Sequence, residues 1–174
     1  MPGARSAADR LAPARLDLGV ILHDMLGAGS AVSTRPAHEP SCMLDTNALS
    51  ELIRNPQGAL ARRLGALDPG AVCTSIVAAC ELRFGARRKD SAQLAQRVEQ
   101  LLQAIAVLPL DAPADEHYAD IRTALERSGT PIGSHDLFIA AHARSHGVTL
   151  LTRNMDEFRR VPGLAVEDWQ NPPQ

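Results

Sequence analysis

The sequence has few aromatic residues and few cysteines. Aromatic side chains make up 3% of the 174 residues, too few for a platform of exposed rings that recognises nucleic acid by stacking on its bases. The three cysteines, Cys42, Cys73 and Cys80, form no CxxC pair. They therefore provide no zinc framework and fit a reduced, cytoplasmic protein. We expect all three to be small core residues.

The chain also lacks a strong net charge and a long apolar run. Eighteen basic and twenty acidic residues give a formal charge of −2, so overall charge attracts neither nucleic acid nor an anionic membrane. No run approaches the roughly 18 apolar residues of a transmembrane helix. With 45% hydrophobic and 22% charged residues, the composition is that of an ordinary globular domain.

Glycine and proline are concentrated near the start of the chain. Four of the twelve glycines and four of the twelve prolines lie in residues 1–42. This composition predicts a flexible or spurious leader over 1–42, with a short helix at 16–26 followed by a linker at 27–40. We expect one domain over 43–170 and a short tail at 171–174.

From residue 42 onward, strand and helix patterns alternate. The sequence predicts strands at 42–45, 71–75, 105–108, 148–152 and 164–167. It predicts helices at 48–54, 58–67, 77–84, 91–103, 111–128, 134–146 and 156–160, the fifth capped by Asp111. Strands separated by helices are typical of a parallel sheet covered on both faces. We therefore predict an α/β fold, a three-layer α/β/α sandwich.

Oxygen-bearing side chains occur where this fold would bring them together. Asp45 ends the first strand, Glu81 and Asp136 lie in early turns of helices, and Asn154 and Asp156 follow a later strand. Right-handed crossovers place strand carboxyl ends and the following helix N-termini along one edge. The sequence therefore predicts a shared acidic site at this edge.

Several carboxylates in one site repel each other unless a positive charge is present. Helix dipoles contribute only about 0.3–1 kcal/mol each. A ligand set of oxygens without His or Cys suits Mg²⁺, with Mn²⁺ as a substitute. Such a site favours hydrolysis of a phosphodiester, because the ion can activate water and stabilise charge on the phosphate.

The residues around these acids form four ordered motifs. They are Met-Leu-Asp-Thr-Asn at 43–47, Ser75 with Glu81 six residues later, Ile-Gly-Ser-His-Asp-Leu-Phe-Ile-Ala-Ala-His-Ala at 132–143, and Leu-Thr-Arg-Asn at 151–154. Together they resemble the PIN-domain ribonucleases, specifically the VapC toxins of type II toxin–antitoxin systems. The resemblance extends from Met43 to Trp169.

The resemblance implies a Mg²⁺-dependent endoribonuclease that acts on structured RNA, often tRNA. It also implies a homodimer and a cognate VapB-type antitoxin that inhibits it. By motif position, Asp45, Glu81 and Asp136 are the metal-binding acids of the family. The family's fourth acid corresponds to Asn154, so either this amide or Asp156 takes that position.

Other residues near the motifs have expected supporting roles. Thr46 and Asn47 are predicted to support Asp45 by hydrogen bonds. Ser75 and Thr152 lie at strand ends, where each either binds a site carboxylate or water or satisfies backbone groups. His135 and His142, which lie near the motifs, are expected to be structural. His135 replaces an asparagine that is common at this position in the family.

Basic and aromatic residues complete the expectations. Arg153 adjoins the last motif, and a basic run follows the Glu81 helix, so both are candidates for contacting RNA phosphates. The run consists of Arg87, Arg88 and Lys89. We expect core positions for Phe84, Tyr118, Phe138 and Trp169.

Two alternatives to a nuclease remain open. A catalytically weak PIN-like module would keep the acids and bind RNA without cutting it. A Mg²⁺-dependent phosphotransfer protein also carries an Asp at a strand end. However, phosphatases of the haloacid dehalogenase type need a second Asp where this chain has Asn47, and receiver domains need a lysine near their end, whereas Lys89 is the only lysine.

Overall fold

The computed structural model describes residues 39–68 and 70–170. The predicted helix at 16–26, most of the linker at 27–40 and the tail at 171–174 lie outside the described residues. Those expectations therefore stay predictions.

Five short parallel strands form the central sheet. They are β1 (Cys42–Leu44), β2 (Val72–Ser75), β3 (Ala106–Leu108), β4 (Thr149–Leu151) and β5 (Val166–Glu167), in the order β3-β2-β1-β4-β5. Every residue of β1 and β2 is buried, because helices cover both faces of a parallel sheet. The predicted parallel sheet is confirmed.

Seven helices surround the sheet within the described residues. They are α1 (Thr46–Arg54), α2 (Ala59–Gly65), α3 (Ile76–Arg88), α4 (Ala92–Ala104), α5 (Ala114–Arg127), α6 (Ser134–Ser145) and α7 (Met155–Phe158). Helices α1, α2, α3 and α4 pack together as one group, and α5 and α6 pack against each other. This arrangement confirms the predicted three-layer α/β/α class. None of these seven helices is both long and apolar enough to cross a membrane.

The core predictions were correct for three residues and wrong for two. Cys42, Cys73 and Trp169 are buried as expected. Tyr118 and Phe138 are half-buried, and they stack on each other with ring centroids 4.5 Å apart. Cys80 and Phe84 were expected in the core but are exposed, Phe84 by 63%.

The two wrong predictions share a structural cause on α3. This helix continues to Arg88, beyond the predicted end at residue 84. Its face carrying Cys80 and Phe84 is not covered by any described element, and the Arg88 guanidinium lies 5.7 Å from the centre of the Phe84 ring.

Asp111 does not cap the fifth helix, contrary to the sequence prediction. Helix α5 begins at Ala114, and Pro113 occupies its cap position without a side-chain hydrogen bond. Asp111 contributes only its backbone carbonyl, which accepts from the Ala114 amide at 2.9 Å.

The strand register brings two polar residues level at the carboxyl edge of the sheet. Leu44 pairs with Thr74 of β2 and with Leu151 of β4. The residues that follow β1 and β4, Asp45 and Thr152, therefore lie side by side. Strand β1 lies at the centre of the sheet, between β2 and β4. In open α/β sheets, ligands bind at the carboxyl ends of the strands where the strand order reverses.

A buried hydrogen bond connects the two helices that carry Glu81 and Asp136. The Ser75 hydroxyl caps α3 by accepting from the Val77 amide at 3.1 Å, and it also lies 2.9 Å from Nδ1 of His142 on α6. Burial lowers the pKa of His142 to about 4, so the imidazole is neutral. His142 therefore has the structural position that its motif predicted.

We expect Ser75→Ala to lower the free energy of unfolding by about 2–3 kcal/mol, because it removes a helix cap and leaves a buried imidazole without its partner. Ser91→Ala is the matched control. Ser91 caps α4 through the Leu94 amide at 3.3 Å, so its loss should cost only about 1 kcal/mol. Urea unfolding monitored by circular dichroism measures both. Equal losses would show that the His142 contact adds nothing.

Candidate active site

Asp45 is the most buried acid at the carboxyl edge, with 2% of its surface exposed. Its Oδ1 accepts from the Ala48 amide at 2.7 Å and so caps α1, while Oδ2 accepts from the Thr152 hydroxyl at 2.5 Å. Burial raises the pKa of Asp45 to about 6, and the hydrogen bonds oppose that rise. The carboxyl group is therefore held in one orientation by two elements.

Glu81 lies in the second turn of α3 and is held by two side chains. Its Oε2 accepts from the Thr46 hydroxyl at 2.5 Å, and its Oε1 lies 2.6 Å from Nδ1 of His135. Thr46 therefore contacts Glu81 and not Asp45, which corrects the sequence expectation. His135 is likewise a partner of a site acid and not only a structural residue.

Asp136 occupies the first turn of α6 and has the most perturbed carboxyl group of the site. Its pKa is raised to about 7 by burial, by a hydrogen bond with Glu157 and by repulsion from Glu157, Asp45 and Glu81. Each of these carboxylates comes from a different segment of the chain. The four carboxylates therefore interact electrostatically at the carboxyl edge of the sheet.

Glu157 contacts Asp136, whereas neither residue expected at the fourth position does so. Asp156 is exposed. The Asn154 amide N–H donates to the Thr152 hydroxyl at 2.9 Å and its carbonyl begins α7. Residues three apart on a helix share a face, while residues two apart do not. The spacing from Asn154 to Glu157 is therefore the signal in the sequence that could have identified this acid.

The remaining supporting residues divide into two groups. Thr152 binds a site carboxylate, and the backbone N–H of Asn47 donates to Asp45. Ser75 instead binds Val77 and His142, so its contribution is to position helices. The Asn47 side chain is exposed and lines a cleft beside the acids.

The basic candidates lie at different distances from the acids. Arg153 is exposed and lines the same cleft as Asn47. The basic run at 87–89 lies at the far end of α3. At about 1.5 Å per residue, Arg87 is roughly 9 Å farther along the helix than Glu81. Arg153 is therefore the better placed to contact a ligand at the acids.

The acids have the chemistry of a cation site. Among residues 39–68 and 70–170, no three His, Cys, Asp or Glu side chains lie close enough together to hold a metal ion by themselves. Mg²⁺ needs only one or two carboxylates, because it keeps several waters. Glu157 Oε2 is buried and accepts from no donor in the described part of the chain. A proton or cation is needed there, so the residues fit a divalent ion.

One family model matches most of the chain. The family model described as the PIN domain matches residues 42–164. The chain belongs to the PIN domain family. This PIN domain places Asp45, Glu81 and Asp136 at the carboxyl edge of the sheet, on the elements to which the sequence motifs assigned them.

Characterised relatives of this PIN domain are VapC ribonucleases. The chain is 40% identical over 131 residues to the tRNA(fMet)-specific endonuclease VapC of Shigella flexneri, which covers 73% of this chain and 96% of that protein. It is 32% identical over 129 residues to ribonuclease VapC2 of Rickettsia felis, with the same coverage. The predicted membership of the VapC ribonucleases is confirmed, and with it a nuclease rather than a phosphotransfer protein.

Solved structures show the same fold. The PIN domain superimposes on VapBC2 from Rickettsia felis bound to a promoter DNA fragment with a TM-score of 0.69 and 30% identity, covering 74% of this chain and 98% of that one. For DNA-bound VapBC from Salmonella typhimurium the TM-score is 0.68 and the identity 36%, covering 75% and 98%.

The raised pKa of Asp136 predicts how stability depends on pH in EDTA. Between about pH 4 and 7 the folded protein keeps a proton that the unfolded chain releases, so stability should fall as pH rises through this range. Asp136→Asn should remove this loss and make the metal-free protein about 1–2 kcal/mol more stable at pH 7.5, after allowing for partial exposure. Urea unfolding at pH 4.5 and 7.5 measures the effect.

Asp156→Asn is the control for this experiment, because it removes a nearby exposed carboxylate and should leave stability unchanged at both pH values. The interpretation is wrong if Asp136→Asn is no more stable than the parent at pH 7.5.

Proposed function

We propose that this PIN domain is a Mg²⁺-dependent endoribonuclease that cuts tRNA and acts as the toxin of a type II toxin–antitoxin system. The observation that carries the proposal is the meeting of Asp45, Glu81, Asp136 and Glu157 at one sheet edge, with a buried carboxylate oxygen that has no donor among the described residues. PIN-domain nucleases generally depend on a divalent metal. The oxygen ligands favour Mg²⁺, or Mn²⁺ in its place.

Asp45, Asp136 and Glu157 would hold the ion, directly or through its bound waters, and Glu81 would contribute beside them. When bound, a divalent ion supplies positive charge that stabilises a phosphodiester under attack by water. The chain itself orients the ligands. Thr152 and the Ala48 amide fix Asp45, while Thr46 and His135 fix Glu81.

The proposed substrate is tRNA, and initiator tRNA in particular is the first to test. A relative with 40% identity is named a tRNA(fMet)-specific endonuclease, and it matches this chain over 96% of its own length. The acidic centre needs neighbouring positive charge to accept a polyanion, and Arg153 lies beside it. These two observations together favour RNA as the substrate.

The proposed partner is a VapB-type antitoxin, with a homodimer as the expected assembly of the toxin. Solved relatives with 30% and 36% identity are VapBC complexes. A cluster of four carboxylates attracts a basic side chain, which would compete with a divalent ion for the same oxygens. An antitoxin segment carrying arginine or lysine would therefore block the site by both charge and volume.

Purified protein free of antitoxin should cut initiator tRNA in 5 mM Mg²⁺, roughly the range in which weak carboxylate sites fill, and EDTA should stop cleavage. Asp136→Asn should lower the rate at least about 100-fold, because it removes a ligand at the centre of the site. Denaturing gels of labelled tRNA give the rate. Equal cleavage by parent and variant would point to a contaminating nuclease and contradict the proposal.

Glu157 and Asp156 provide a matched test of the fourth position. We expect Glu157→Gln to lower the cleavage rate about 10–100-fold and to raise the Mg²⁺ concentration needed for half-maximal rate, because it removes the charge of a proposed ligand. Asp156→Asn should leave both quantities unchanged. A larger effect from Asp156→Asn would assign the fourth position to that residue instead.

A further inference from the structure

The cleft that Asn47 and Arg153 line beside the acids has a polar and basic lining. Its volume is 320 Å³, and it is lined by Asn47, Arg54, Arg153, Asn154 and Trp169. This size is at the lower end of the roughly 300–1,000 Å³ found for small-ligand sites. These five lining residues include no carboxylate, in contrast to the neighbouring acidic site.

One wall of the cleft is a face of α1. Asn47 and Arg54 are seven residues apart, which places them on the same side of the helix two turns from each other. The Arg54 side chain is 70% exposed, and its guanidinium contacts the Ser50 carbonyl at 3.3 Å and Glu51 at 3.4 Å. These exposed contacts are weak, so most donors of Arg54 remain available to a ligand.

The lining also includes the loop after β4, which is tied to the acidic site. The Asn154 amide donates to the Thr152 hydroxyl, and that hydroxyl donates to Asp45. Arg153 lies between these two residues and makes no ion pair within residues 39–68 and 70–170. The positions of Arg153 and Asp45 are therefore coupled through two hydrogen bonds.

We propose that Arg54 and Arg153 bind a backbone phosphate of the RNA strand, next to the phosphodiester that lies at the acids. This inference rests on the proposed function and adds a substrate-positioning site to it. Two guanidinium groups that line one cleft suit a phosphate, because each presents several donors in a planar fork. The amides of Asn47 and Asn154 add donors of the kind that contact phosphate and sugar.

The lining favours phosphate over an unpaired base or an apolar side chain. Trp169 is the only aromatic residue among those that line the cleft and is 3% exposed, so it offers no open face for stacking. An acidic side chain of a protein partner would satisfy the same arginines, and binding measurements with the two ligands separate that case from RNA.

The test measures binding of fluorescein-labelled initiator tRNA by anisotropy in EDTA, in an Asp136→Asn background that does not cut. In this background, Arg54→Ala and Arg153→Ala should each weaken binding about 3–10-fold near 100 mM KCl. Each should also reduce the slope of log K against log[KCl] by about 0.7–0.9, because one phosphate contact is lost. Arg153→Lys should keep most of the slope, since it keeps the charge.

Arg97→Ala is the matched control, because Arg97 is an exposed arginine on α4 that does not line the cleft. It should leave the affinity and the slope at the parental values. Thermal unfolding of each variant verifies that it folds.

The possible outcomes distinguish the phosphate site from the proposed function. If the unaltered protein cuts the tRNA but Arg54→Ala and Arg153→Ala bind it like the parent, the phosphate site is wrong and the proposed function stands. If the unaltered protein neither binds nor cuts, both fail. If the arginine variants lose affinity for a co-expressed antitoxin but not for tRNA, the cleft is a protein contact and the phosphate site is overturned.

Discussion

Repulsion among carboxylates is the constraint on which the carboxyl edge depends. Burial and like charge raise the pKa of Asp45 to about 6 and that of Asp136 to about 7, so folding places these acids at a free-energy cost near neutral pH. Hydrogen bonds to Asp45 from the Thr152 hydroxyl and the Ala48 amide partly offset it. The remaining demand for positive charge makes the edge suited to a cation, a basic partner or both.

The acidic site and the basic cleft place charges of opposite sign next to each other on one surface. A nucleic-acid strand is repelled by a bare acidic cluster and attracted by arginines. Arg153 directly follows Thr152 in the chain, and Arg54 lies on the helix that Asp45 caps. Both arginines are therefore connected to the hydrogen bond between Thr152 and Asp45. The formal charge of −2 for the whole chain conceals this local separation.

The sequence was sufficient to predict the sheet and the positions of Asp45 and Asp136, because strand ends and helix starts in a parallel α/β fold must meet at one edge. Glu157 was missed because α7 begins at Met155, which turns Asp156 outward and its neighbour inward. The partners of Glu81 could not be predicted, since contacts between side chains on different helices depend on packing. Phe84 was wrongly expected in the core for a related reason, because helical spacing does not show which face of a helix another element covers.

The hydrogen bond between Thr152 and Asp45 joins residues 107 positions apart, and it has a consequence for synthesis. A chain that has left the ribosome only as far as α5 carries Asp45 and Glu81 but still lacks Asp136, Thr152 and Glu157. The central strand β1 also waits for β4, its neighbour on one side. A nascent chain at this stage therefore lacks three residues of the carboxyl edge, and the acidic cluster forms only once the segment that carries them has emerged.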